Sequence, residues 1–303
     1  MIICIDFNSK KCYNTANCIK DVTFSMKALF SKLFTKKNLF RILVMLFSAV
    51  FLVSAGFLVD YIIGSVKQKQ QYEDLSNLLQ QGQQTESNSQ NGSPESDAAS
   101  YTIVVHPKTG ETMKILTEYV PIFNLNPDLV GWIKVDNTII DYPVLQTPDW
   151  PNYYLKRDFN GQYSKHGAIY VTEPADVKAP SDNMTIYGHR MNDGTMFADL
   201  LKYKDEEFFK QNPTITFNTI YDYREYQILC VFVTAAYEDT YFPYYTFVDG
   251  DAQEFEDYVE ECKALSLYDT GITAVDGDKL ITLSTCDNVI KNGRVVIVAK
   301  QIR

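Results

Sequence analysis

Histidine is scarce, with three in 303 residues, so any imidazole proton chemistry rests on His106, His166 or His189. Cysteine is little used as well. Of the six, Cys4, Cys12 and Cys18 have no histidine nearby and no Cys-x-x-Cys pairing, which excludes a paired zinc pattern. With 14 Gly and 11 Pro the chain is neither collagen-like nor a low-complexity coil, and it shows no internal repeat. Basic charge is thin over most of its length. Residues 67–303 carry 20 Lys/Arg against 35 Asp/Glu, a balance of −15, which removes the cationic face that nucleic acid binding needs. Residues 1–66 run the other way, eight against three, so the net −10 is the sum of +5 and −15.

There is one long apolar run. Ile42 to Val59 holds eighteen residues without a charge, and after Asp60 the run resumes as far as Val66. Eighteen helical residues reach about 27 Å, close to the thickness of a bilayer's hydrocarbon core. Residues 42–66 therefore read as a single membrane span. Lys27, Lys32, Lys36, Lys37 and Arg41 lie just before it, which by the positive-inside rule puts the N-terminus in the cytoplasm and the later chain outside. A cleavable signal peptide is the alternative, since Ser54-Ala55-Gly56 supplies small residues; its apolar core is normally shorter than this run, which continues past them. Met26 opens a more usual anchor sequence, so the natural start is expected there. Residues 67–100 are rich in Gln, Ser and Asn and read as a flexible stalk with a short helix around Tyr72 to Leu79.

From Tyr101 to Arg303 the composition is that of a single globular domain rich in Tyr and Phe. A short helix is expected over Met113–Asn124. Strands are expected over Gly131–Val135, Ile139–Val144, Ala168–Val171, Met184–Tyr187, Thr214–Phe217, Tyr223–Thr234, Lys279–Thr285 and Arg294–Gln301. One amphipathic helix interrupts them, because Phe255, Tyr258, Val259, Cys262 and Leu265 recur at intervals of three and four. Many short strands between turn signals indicate a mainly β domain, a mixed barrel or sandwich, rather than a parallel α/β sheet.

Chemistry concentrates in KLITLSTCDNVIKNGRVVIVAK, residues 279–300. On a strand, Ile281, Leu283 and Thr285 share one face while Thr282, Ser284 and Cys286 share the other. If the strands flanking the polar loop pair as a hairpin, Arg294 returns beside Cys286. A cation there favours thiolate and can bind a developing oxyanion. The nucleophile also needs a proton carrier. His106 reads as a surface residue and His166 as a turn residue, whereas His189 follows a strand ending at Tyr187, with Gly188 allowing a sharp turn. That is a common position for a catalytic side chain. Cys230 and Cys262 read as buried small hydrophobes, with a bridge between them left open. The aromatic cluster of residues 237–247 reads as core and rim packing, and the acidic runs lack the spacing of a calcium loop.

TLSTC at 282–286 followed by Arg294, together with IYGHRM at 186–191, resembles the signature of the sortases, and in particular of class B. NPDLVGWIKVDNTIIDYPVLQ (126–146), NYYLKRDFNGQYSKHGAIY (152–170) and the helix-bearing insertion from Asp251 to Gly271 are similar to class B catalytic domains. The resemblance implies a closed eight-stranded β-barrel with added N-terminal helices and a helix in a long inter-strand insertion. It implies a cysteine transpeptidase with no cofactor and no metal, in which Cys286 is the nucleophile, His189 the general acid/base and Arg294 the oxyanion or substrate-positioning cation. Tyr187, Ser284 and Thr285 are the weaker candidates for contacts with substrate. The implied partners are secreted proteins bearing a C-terminal sorting pentapeptide, cleaved after Thr, and an amine of peptidoglycan or its lipid-linked precursor. The motif stays open between NPQTN-like and SPxTG/PPxTG-like peptides.

Other readings share some of these residues. A cell-wall cysteine hydrolase has the same Cys/His pair but uses water as acceptor, and a pilus-polymerising sortase uses a pilin lysine. L,D-transpeptidases also acylate a cysteine, but their HG…SHGC-type signature is absent around Cys286. An anchored, non-catalytic surface protein would merely bury Cys286.

Overall fold

The computed structural model describes residues 36–89, 99–236, 241–289 and 291–303; the expected start at Met26 lies outside them. The chain divides into two compact units, Met1–Ile63 and Gly64–Arg303. In the first, the described residues belong to a helix, α1, whose bounds are Lys36–Ser89. It contains an 18-residue window of mean hydropathy 2.7, none of it buried, long and apolar enough to cross a membrane.

In the second unit α1 continues through the first part of the expected stalk, taking in the short helix expected around Tyr72 to Leu79. Gln68, Tyr72, Leu75 and Leu79, spaced by three and four, form one buried stripe on its surface. Three apolar residues at helical spacing suffice for docking even where the surrounding composition is Gln-rich. Residues 90–98 of the expected stalk lie outside the described residues. β1 (Tyr101–Val105) and β2 (Thr112–Leu116) then form an antiparallel hairpin, followed by a 3-10 turn at Thr117–Tyr119 and α2 (Val120–Leu125). The helix expected over Met113–Asn124 is therefore strand in its first part. Met113 and Ile115 alternate with exposed neighbours, and this period of two outweighs the helical reading.

The strands β3 (Leu129–Lys134), β4 (Asp141–Leu145), β5 (Ile169–Val171) and β6 (Asn183–Tyr187) follow. After them come α3 (Glu206–Gln211), β7 (Thr214–Thr219), β8 (Glu225–Ala235), α4 (Ala252–Ala264), β9 (Leu280–Cys286) and β10 (Gly293–Gln301). β3 to β10 close into an eight-stranded barrel in the order β10-β8-β7-β3-β4-β5-β6-β9. Two neighbouring pairs, β4 with β5 and β6 with β9, are parallel and the rest antiparallel. Closure leaves the barrel no unpaired edge strand.

Both faces of β9 and β10 are buried; β10 reads as a near-continuous apolar run, whereas β9 interleaves Thr282, Ser284 and Thr285 with its apolar residues. Ile281, Leu283, Ile297 and Ala299 pack into the barrel interior. Leu280, Val296 and Val298 pack outward, against Phe255, Tyr258, Val259 and Cys262 of α4. α4 begins with a capping box: the Asp251 carboxylate accepts from the amides of Gln253 and Glu254, and Glu254 accepts from the Asp251 amide, all at 3.0 Å. Cys230 and Cys262 are buried free thiols. Burial, then the neighbouring Cys230 thiol, pushes the Cys262 thiol well above its ordinary range.

Candidate active site

The parallel pairing of β6 with β9 brings the two halves of the site together. Tyr187 lies opposite Ser284, so the C-terminal ends of both strands reach the same rim of the barrel. Cys286 closes β9 there, and His189 follows β6 by two residues. β10 starts at that rim and runs antiparallel to β9, with Arg294 directly opposite Cys286. Directly opposed residues of an antiparallel pair project to the same side, so the guanidinium and the thiol share a face. All three side chains line one cavity of about 470 Å³, together with Tyr187, Tyr245 and Glu173. Cys286 is partly exposed, unlike the two other described cysteines.

His189 is held from behind. Its Nε2 lies 2.7 Å from the Leu155 carbonyl oxygen. A carbonyl only accepts, so Nε2 carries the hydrogen and Nδ1 is left for proton transfer. Gly188 is required for space: a Cβ there would come within 2.6 Å of the Phe197 ring and 2.5 Å of Ile169 Cδ1. The turn expected at Gly188 is thus a close approach between packed side chains. The loop is closed beyond it by the Phe197 amide donating to the His189 carbonyl at 2.9 Å.

Arg294 donates through Nη1 to the carbonyls of Gly293 (2.9 Å) and Asn292 (3.2 Å), which limits its freedom at the rim. Asp287, only 3% exposed, sits next to Cys286 and pairs with Lys204, with Arg190 Nη1 3.8 Å away. The pair joins the loop after Cys286 to the 3-10 turn Ala198–Lys204, and Arg190 extends it to the loop bearing His189. Sequence reading passed over Asp287, although a lone carboxylate beside Cys286 in a loop containing one other ionisable residue before Arg294 was a usable signal. It also missed Tyr244, whose hydroxyl lies 2.7 Å from Ser284 Oγ.

The weaker candidates fall as follows. Tyr187 is half-buried on the cavity wall. Ser284 is buried and engaged by Tyr244, and the Thr285 hydroxyl donates to the Gly188 carbonyl at 2.8 Å. The other histidines stand apart from the cavity lining. His106 accepts at Nδ1 from the amides of Lys108 and Thr109 in the β1–β2 turn. His166 is 4% exposed and its Nε2 lies 3.0 Å from the Asp193 carboxylate.

A family model described as the sortase domain matches residues 133–302. Sortase B of Listeria monocytogenes is 36% identical over 183 residues, 59% of this chain and 71% of that protein. Sortase B of Staphylococcus aureus is 31% identical over 181 residues, 59% of this chain and 72% of that protein. Among solved structures, sortase B from Bacillus anthracis in complex with AAEK1 superposes with a TM-score of 0.61 at 26% identity, covering 80% of this chain and 99% of that one. The Staphylococcus aureus sortase B–substrate complex gives a TM-score of 0.63 at 25% identity over the same shares. The matched stretch runs from the end of β3 through β10 and contains His189, Cys286 and Arg294, so the chain belongs to the sortase family, class B, and is a cysteine transpeptidase.

Proposed function

We propose that Cys286 is the nucleophile, His189 the general acid/base and Arg294 the oxyanion-binding cation of a transpeptidase that attaches secreted proteins to the cell envelope. The observation that carries this reading is the register of Arg294 opposite Cys286 at the rim where β6 delivers His189. An ordinary thiol titrates near pH 8.5, so the thiolate must be assisted at neutral pH. The Cys286 thiolate adds to the carbonyl that follows Thr in a C-terminal sorting pentapeptide. Arg294 faces the tetrahedral oxyanion. His189, protonated at Nδ1, gives that proton to the departing amine as the C–N bond breaks, leaving a thioester on Cys286. Neutral Nδ1 then takes a proton from the incoming amine of peptidoglycan or its lipid-linked precursor, whose attack forms the new amide and releases the thiolate.

Tyr187, Ser284 and Thr285 form part of the peptide's binding wall, with Tyr187 supplying a ring face and Ser284 a wall set by Tyr244. Residues 42–66 anchor the enzyme as a single span, with residues 1–41 cytoplasmic and the catalytic domain, residues 101–303, outside the membrane. The charge asymmetry across the apolar run supports this topology.

The test is turnover of NPQTN-, SPxTG- and PPxTG-type fluorogenic peptides by the full chain in detergent micelles, with and without an amine nucleophile. Wild type is expected to cleave one class, to accumulate a thioester on Cys286, and to form amide when amine is present. Cys286→Ala and His189→Ala should each lower turnover by at least about a thousandfold, and Arg294→Ala by about a hundredfold or more. Cleavage indifferent to Cys286→Ala, or failure of every peptide class, overturns the reading.

A further inference from the structure

The structure ties His189 to a part of the chain far from it in sequence. Gln68, on the docked part of α1, is 6% exposed, and its side-chain amide is used at both ends. Nε2 donates to the Gly167 carbonyl at 2.7 Å, and Oε1 accepts from the Ser164 hydroxyl at 2.7 Å. Gly167 is the residue on which the histidine rests. It has φ +61°, and a Cβ there would lie 2.7 Å from the Leu155 carbonyl oxygen and 3.1 Å from His189 Cδ2. That Leu155 oxygen is the acceptor that sets the His189 tautomer. Three residues before Gln68 on the same helix, Ser65 donates to the Asp193 carboxylate at 2.5 Å. Asp193 belongs to the loop that begins at His189, and it also faces His166 Nε2 and accepts from the amide and hydroxyl of Thr195.

We propose that the Ser65–Gln68 turn of α1 is a positioning element for the catalytic histidine. Gln68 holds the 164–167 turn against the imidazole, and Ser65 holds the loop that follows the histidine through Asp193. Neither residue lines the cavity that contains Cys286. Their effect passes through Gly167, Leu155 and Asp193 to the orientation of Nδ1. A misplacement well under an ångström at a proton-transfer group slows the chemical step while leaving substrate binding alone.

The proposal rests on His189 as acid/base, and its test separates the two ideas. The full chain in detergent micelles is compared as wild type, Gln68→Ala, Gln68→Glu, Ser65→Ala and His189→Ala, by steady-state transpeptidation and by imidazole ¹⁵N NMR. The three histidines keep the spectrum assignable. Gln68→Glu retains the acceptor for Ser164 but loses the donor to Gly167, and it is expected to match Gln68→Ala. Both should lower kcat by about tenfold with KM for the peptide within about twofold of wild type. Ser65→Ala should give a smaller loss of the same kind. The His189 resonances should move in both Gln68 variants while those of His106 stay in place. Wild-type kcat and unmoved His189 resonances in Gln68→Ala, beside an inactive His189→Ala, overturn the proposal alone. Wild-type turnover in His189→Ala overturns the catalytic reading and the proposal with it.

Discussion

At the residue scale, the proposed site is framed by groups that do not line its cavity. Asp287 shows this most directly. It is buried next to Cys286 and neutralised by Lys204. Removing the carboxylate leaves the Lys204 ammonium without its partner, although that lysine keeps a third of its side chain in solvent. Asp287→Ala is therefore expected to lower stability by about 1 kcal/mol, well short of the cost of a fully buried broken pair because Lys204 can be re-solvated. It should also loosen the loop that leads from Cys286 to β10, so alkylation of Cys286 by iodoacetamide should change in rate. Urea unfolding and peptide-mapped alkylation check the two effects. Cys286 and Arg294 were legible as a pair from the hairpin pattern. Asp287 was not assigned a role, because which cation a carboxylate meets depends on Lys204, eighty-three residues earlier.

At the element scale, β8, β9 and β10 read clearly as strands because each is an apolar run bounded by turn residues. The meaning of their two apolar faces was not readable. One face fills the barrel and the other is covered by α4, so alternation along β9 could not say which side was solvent. The helix of the long insertion was the most secure helical reading, resting on five apolar residues at three- and four-residue spacing. Its cap offers a clean test. Asp251→Ala removes the side-chain acceptor for two otherwise unpaired amides and should cost about 1 kcal/mol. That loss should appear as a shift of the urea midpoint with no change in kcat, since α4 covers the outer face of β9 at Leu280 and Thr282 rather than the rim.

At the scale of the whole molecule, the docked part of α1 changes what the domain is. The expectation of a flexible stalk followed composition, while the short helix expected around Tyr72 to Leu79 is present and longer, its Tyr72, Leu75 and Leu79 spaced to bury a stripe. The contact also sets a pH dependence. Burial opposes ionisation of Asp193, but hydrogen bonds from Ser65, Thr195 and His166 outweigh it and hold the carboxyl well below its ordinary 3.8. A folded-state value below the unfolded one means that the folded chain binds fewer protons, so this contribution is full above about pH 4 and is lost as pH falls through the acid range. Asp193→Asn should accordingly be less stable than wild type at pH 7, with the gap narrowing by pH 3. Urea midpoints at the two pH values measure it.

The sequence by itself determined the one apolar run, the charge division around it and the strand-rich character of the domain, and it marked Cys286, His189 and Arg294 as the candidates for the proposed chemistry. Each of these is written locally, as side-chain period, charge or a short motif, His189 in one segment and Cys286 with Arg294 in another. Tertiary structure alone decided that β6 and β9 are parallel neighbours, that His189 is backed by the Leu155 carbonyl over Gly167, and that α1 reaches both turns behind it. Those contacts join segments from about thirty to a hundred residues apart. Their partners are backbone carbonyls and glycine Cα atoms, which every residue or every glycine carries and which therefore leave no particular mark in the sequence.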